Sequence, residues 1–183
     1  ILFETPPDIS MTDCRAVLNS MAAAATLAGK KPQYREEGLL NGGAFYDYYQ
    51  TQDARYLSIG SLEPQFMSGL ASILDLPVLL QLGKSFHQAD QHLLKQAIQE
   101  KISTKTFAEW SAIFADQDVC VEPVLDLEEA FNSELAKERQ WTVEVPLSVG
   151  SEQTETQLAC PIKFSRSKTK YQYIGQKLGA GEW

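Results

Sequence analysis

Few side chains in this sequence have the type and placement to do chemistry. Glu63 stands where an alternating run, Arg55 to Leu62, hands over to Glu63-Pro64. Proline is tolerated in a helix's first turn, so the junction reads as strand into helix. A carboxylate there can accept a hydrogen bond from a catalytic group, or simply sit against the positive end of the helix. The two histidines offer less: His87 lies in a polar loop and reads as solvated, and His92 reads as a helix surface or core residue. The cysteines, Cys14, Cys120 and Cys160, are odd in number, far apart and without zinc spacing. Cys14 on a helix face and Cys120 in an apolar strand are expected to be buried, inert thiols. The set suits a reducing, cytoplasmic compartment.

The elements that position Glu63 begin upstream of it. Gly42-Gly43 gives a flexible entry. Ala44 to Thr51 is rich in aromatic residues and favours a strand. Gln52-Asp53-Ala54 makes a turn, with Asp53 able to bond its own backbone. Arg55 to Leu62 returns as the second strand, with Tyr56, Ser58, Gly60 and Leu62 on one face and Leu57, Ile59 and Ser61 on the other.

Around this hairpin the periodicity is helical. Ser10 followed by Asp13 caps a helix whose apolar row is Met11, Cys14, Val17, Leu18, Met21, Ala25 and Leu27, ended by Gly29. Pro32 to Asn41 is a polar connection. Phe66, Met67, Leu70, Ile73 and Leu74 form an amphipathic helix, Leu76 to Leu80 a short buried loop or helical turn. Ala89 to Ile102 is a helix with Leu93, Leu94, Ala97 and Ile98 inward. Ser103 to Asp116 is another, buried through Phe107, Trp110, Ile113 and Phe114. Asp118 to Leu125 is a short strand and Asp126 caps the next helix. Trp141 to Val149 alternates as a strand, Gly150 to Thr156 is a polar turn, and Leu158 to Phe164 is a further strand.

The 183 residues suffice for one core with appendages. Apolar content of 44% and charged content of 22% are those of an ordinary globular protein. A net charge of -8 argues against non-specific binding to nucleic acid or anionic membrane. No apolar run approaches the roughly 20 residues a membrane-spanning helix needs.

The hairpin also carries an extended resemblance. Gly42-Gly43-Ala44, Tyr46-Asp47-Tyr48-Tyr49, Asp53-Ala54-Arg55-Tyr56 and Gly60-Ser61-Leu62-Glu63-Pro64-Gln65-Phe66 are similar to the small-domain signature of the α-methylacyl-CoA racemases, within the family III CoA-transferase superfamily. Asp8 to Asp13, Asp118 to Val124, Arg139, Pro161 to Ser165 and Ile174-Gly175 resemble further segments of that family, while Gln176-Lys177-Leu178 departs from it.

The resemblance implies an α+β small domain, with a small antiparallel or mixed sheet, flanking helices and an N-terminal linker helix. Residues 1–41 would be that linker and a remnant of a large domain, 42–140 the small domain, and 141–183 a return segment toward the large domain. Ile1 to Glu4 resembles the end of a large-domain helix, so the chain is expected to start part-way through a longer protein. It implies an acyl-CoA thioester as substrate, no metal or other cofactor, and an interlocked homodimer.

Racemisation beside a thioester carbonyl needs one group to remove the α-proton and another to return it from the opposite face, while the oxygen is stabilised as an enolate. In the family a histidine and an aspartate of the large domain do this, and neither His87 nor His92 stands in that histidine's context. The resemblance makes Glu63 a supporting residue that orients an upstream histidine and tunes its pKa. It makes Asp47 a candidate for lining the cleft, against the alternative of a strand aspartate bonding local backbone. Tyr46, Tyr48 and Tyr49 pack either an acyl chain or the sheet. The chain alone is then expected to be inactive. The alternatives are a family III CoA-transferase portion, whose aspartate nucleophile would also lie upstream, and a non-catalytic binding or assembly domain.

Overall fold

The computed structural model describes residues 10–31, 38–40 and 42–175. The readings of Ile1 to Ile9, of 32–37 with Asn41, and of Gln176-Lys177-Leu178 lie outside the described residues. The architecture is α+β, in two compact units, Ile1–Val124 and Leu125–Trp183.

In the first unit, Ser10 accepts the Asp13 N–H as the capping pattern requires, opening α1 (Met11–Leu18). The single helix expected up to Gly29 is broken at Asn19, whose ψ of 21° leaves helical geometry, and resumes as α2 (Ser20–Leu27). Neither helix buries a residue: Met11, Val17, Leu18, Met21 and Leu27 are all exposed, and so is Cys14, correcting the expectation of a buried thiol.

Strands β1 (Asp47–Gln50) and β2 (Tyr56–Ile59) pair antiparallel, Tyr48 opposite Ser58 and Gln50 opposite Tyr56. The turn closes through the Thr51 N–H to the Arg55 carbonyl at 2.8 Å, with Ala54 left-handed at φ 61°. The Asp53 carboxylate reaches beyond the turn: it accepts from the Thr51 hydroxyl at 2.6 Å and from the Phe107 N–H at 2.9 Å. The alternation holds, with Leu57, Ile59 and Ser61 buried and Tyr56 turned out.

Pro64 takes the first position of α3 (Pro64–Leu74), which buries Met67, Leu70, Ala71 and Leu74. The interrupted apolar stretch after it becomes the short helix α4 (Val78–Leu82). Next comes α5 (Gln88–Ile102), whose buried row is Gln91, Leu94, Ile98 and Ile102; Leu93 falls beside that row and is 47% exposed, against expectation. α6 (Phe107–Phe114) starts later than expected, at a capping box between Thr106 and Glu109 that stops Ser103 to Lys105 from joining it. Trp110 and Phe114 are buried and stacked 5.6 Å apart, while Ile113 lies at the margin. β3 (Val121–Pro123) completes an antiparallel sheet of order β1-β2-β3. Tyr49, Leu57, Ile59 and Val121 on one sheet face join the apolar residues of α3 to α6 in a single core. The helices of the first unit therefore cover one face, and among the described residues of that unit the other stays open.

The second unit holds α7 (Leu127–Asn132), capped reciprocally by Asp126 and Glu129, and α8 (Glu134–Arg139), capped by Ser133. The hairpin of β4 (Thr142–Pro146) and β5 (Thr154–Leu158) follows. The last strand begins earlier than the expected Leu158 to Phe164. The Thr154 and Thr156 hydroxyls both bond the Glu144 carboxylate across the hairpin, so residues that read as a polar turn form the strand. Residues 161–175 are not strand.

Candidate functional site

The open face of the three-stranded sheet follows from register. Tyr48, Ser58 and Glu122 stand side by side across the three strands, with Gln50 and Tyr56 in the next row. Tyr48 is 63% exposed, Tyr46 46% and Tyr56 43%. Tyr49, one residue on, points the other way; it is buried and its hydroxyl donates to the Ala44 carbonyl. The sheet thus sorts the expected aromatic cluster: Tyr49 belongs to the core, and Tyr46 and Tyr48 are presented outward.

Asp47 lies between them and faces inward. One carboxylate oxygen accepts the Tyr48 N–H at 2.8 Å, the other the Lys95 ammonium at 2.6 Å. Only 11% of the Asp47 side chain and 19% of that of Lys95 are exposed. A pair shielded to this degree gains more from its Coulomb attraction than an exposed one. Lys95 went unnoticed in the sequence, where it is one lysine on a polar helix.

Glu63 caps α3 by position only: its backbone is extended, at φ -74° and ψ 145°, and its carboxylate makes no capping bond. It is exposed, and no side-chain hydrogen bond or ion pair engages it among the described residues. The carboxylate thus stands at the positive end of α3 without being occupied by its amides, which leaves both the dipole role and the support of another group open to it. Its electrostatic neighbour is Cys120. Past Ile59 the chain stays joined to the start of β3 through the Gly60 N–H and the Cys120 carbonyl, 2.8 Å apart. Cys120 takes a left-handed conformation, φ 52°, which turns its thiol out between the buried Val119 and Val121. This corrects the expectation of a buried thiol. Its pKa is raised, first because the thiolate loses some solvation there and then because Glu63, Asp118 and Glu122 surround it with negative charge.

His87 sits at the N-cap of α5 and His92 on its surface, both exposed. No group of three or more His, Cys, Asp or Glu that could hold a metal exists among the described residues. No helix among them is long and apolar enough to cross a membrane. In the second unit a cavity of about 510 Å³ is lined by Phe131, Arg139, Trp141, Leu158, Cys160 and Lys163. Phe131 and Trp141 meet edge to face at 6.4 Å.

The profile of CoA-transferase family III matches residues 8–180. The chain belongs to this family. Among curated relatives, it is 36% identical over 133 residues to the α-methylacyl-CoA racemase of Mus musculus and 33% identical over 133 residues to that of Homo sapiens. Each match covers 72% of this chain and 35% of the relative, so the match spans about a third of the racemases' length. The crystal structure of a CaiB/BaiF family protein from Brucella suis superposes with a TM-score of 0.65 at 20% identity, over 91% of this chain and 43% of that one. That likeness supports the fold of a family III member, of which this chain corresponds to a part.

Proposed function

We propose that this chain is the small-domain part of an isomerase that moves the α-proton of a 2-methylacyl-CoA, an enzyme of the α-methylacyl-CoA racemase type. The observation that carries the reading is Glu63: an exposed carboxylate, free of the capping bond its position offers, at the exit of the strand that carries the racemase-like signature. A carboxylate held this way is suited to accept the N–H of a histidine base, fixing its tautomer and raising its pKa. Two of the relatives named above are racemases, which supports the same choice.

In this reading a histidine and an aspartate of the large domain exchange the proton on opposite faces of the α-carbon. Glu63 orients the histidine, and Tyr46 and Tyr48 form the wall against which the acyl chain lies. Asp47 holds that wall. The acyl-CoA is the substrate and no metal is required. The working unit is a homodimer, and the exposed apolar row of α1 and α2 supplies a surface for assembly. The chain by itself does not exchange the α-proton, because His87 and His92 are not in the context of the family's base.

The second reading, CoA transfer between acyl groups, is favoured by the family's own description. It runs through an aspartate nucleophile and acyl anhydride, with no histidine for Glu63 to support. One experiment separates the two. The full-length protein is incubated with 2-methylacyl-CoA in D2O, with and without a free carboxylic acid as CoA acceptor. Deuterium at the α-carbon without an acceptor supports the racemase; CoA transfer without α-exchange refutes it. Sedimentation of this chain over a concentration series tests assembly, and a monomer throughout would remove α1 and α2 from that role.

A further inference from the structure

Helix α5 does two jobs on adjacent faces. Leu94, Ile98 and Ile102 pack into the core. Beside them, Gln91, Lys95 and Gln99 recur every four residues, which stacks their side chains along one line of the helix. That line meets β1, the outer strand of the sheet, whose free edge leaves backbone groups without a strand partner.

Gln99 supplies a backbone partner to β1 itself, and Lys95 and Gln91 tie down the residues that lead into it. Gln99 donates from Nε2 to the Gln50 carbonyl at 2.7 Å and accepts the Gln50 N–H on Oε1 at 3.0 Å, as a neighbouring strand would. Lys95 donates to the Gly42 carbonyl at 2.9 Å and to Asp47 Oδ2 at 2.6 Å. Gln91, only 6% exposed, accepts the Ala44 N–H at 2.9 Å and donates to the Ser85 carbonyl at 2.8 Å. Apart from the Ser85 bond, every anchor falls on the stretch Gly42 to Gln50 that presents Tyr46 and Tyr48. Asp47 is the one inward residue between these tyrosines. Because successive side chains of a strand point to opposite faces, fixing Asp47 inward fixes Tyr48 outward, and it anchors the bend that carries Tyr46 just before the strand.

We infer that Gln91, Lys95 and Gln99 are positioning residues: they hold the tyrosine wall in register against the acyl-CoA without touching it. This rests on the reading that Tyr46 and Tyr48 line the acyl-CoA site. At Gln50 the ladder takes the place of a neighbouring strand, and the Lys95–Asp47 pair is its central rung.

The first test needs no activity. In this chain, hydrogen exchange is followed at the Ala44, Tyr48 and Gln50 amides in Lys95→Met and in Gln99→Leu. Gln99 lies nearer solvent, so its variant serves if Lys95→Met does not fold. A selective rise of roughly tenfold or more at these amides, with the Leu94 and Ile98 amides unchanged, is expected for local loosening. No rise, or an equal rise throughout, overturns the ladder as a local device.

The second test uses the full-length protein and 2-methylacyl-CoA. A wall displaced by about 1 Å costs up to roughly a hundredfold in rate. We expect Lys95→Met to lower kcat/KM at least about tenfold, mostly through kcat, and Lys95→Arg to recover most of it. Tyr46→Ala and Glu63→Gln are measured alongside. If those two lose activity while folded Lys95→Met keeps it, the positioning inference has failed alone. If all three retain full activity, the acyl-CoA reading of this wall has failed, and the inference with it.

Discussion

Trp110→Phe is the sharpest perturbation of the scaffold behind the site. The indole is 1% exposed, stacks on Phe114, and donates from Nε1 to the Ile102 carbonyl at 2.7 Å. That bond ties the end of α5 to the middle of α6, across the loop whose next residues bond Asp53 at the hairpin turn. Replacing the indole by a phenyl ring removes the donor of this bond and leaves its acceptor behind. The Ile102 carbonyl keeps only the longer 3.5 Å bond from the Lys105 N–H, so the penalty for leaving it under-satisfied falls toward the low end, about 1 kcal/mol. The part of the indole that phenyl does not fill adds roughly 1 kcal/mol of lost burial and cavity cost. The sum is about 2 kcal/mol, equivalent to a Tm lower by roughly 4–8 °C. Urea unfolding followed by circular dichroism measures it, with Ile113→Ala at the core margin as a control expected to cost less than about 1 kcal/mol. A Trp110→Phe loss below about 1 kcal/mol would contradict the burial and the hydrogen bond alike.

Two further outcomes follow from the electrostatics. The Cys120 thiol is raised by lost solvation and by the carboxylates of Glu63, Asp118 and Glu122, so near pH 8 it should alkylate more slowly than the exposed Cys14, and Glu63→Gln should speed it; equal rates, or no response to Glu63→Gln, would separate the two groups. Asp53 is held below the usual carboxylate range chiefly by the Thr51 hydroxyl and the Phe107 N–H, and Glu109 by the Thr106 N–H and hydroxyl. A lowered folded-state pKa stabilises above the unfolded value and is lost as pH falls through the folded one. Stability should therefore decline below about pH 4, and Asp53→Asn should flatten the decline; an unchanged slope in that variant would refute the assignment.

The paired part of the hairpin and its exit were legible in the residues because local rules dominate there, whereas Ala44 to Tyr46, which read as strand, form a turn and bend. Alternation sorted Leu57 and Ile59 from Tyr56, and Pro64 marked the first turn of α3. The features missed depend on distant partners. Lys95 gains meaning only when Gly42 and Asp47 come within reach, and no local pattern announces that. The spacing of Gln91, Lys95 and Gln99 was visible but reads equally as a solvated helix face. Cys120 misled because Val119-Cys120-Val121 looks like buried strand, whereas a left-handed backbone turns the middle residue out. The last hairpin was misplaced because Thr154 and Thr156 read as turn residues until Glu144 is set opposite them.

The central claim is that Glu63 supports a histidine base, and the pH profile of α-proton exchange tests it most directly. In the full-length protein, deuterium uptake into 2-methylacyl-CoA is followed for wild type and Glu63→Gln across pH 5 to 9. Removing a carboxylate beside an imidazole lowers the imidazole's pKa. The account predicts a rate at least about tenfold lower, with the acid limb displaced to lower pH. An unchanged rate with an unmoved acid limb would contradict it.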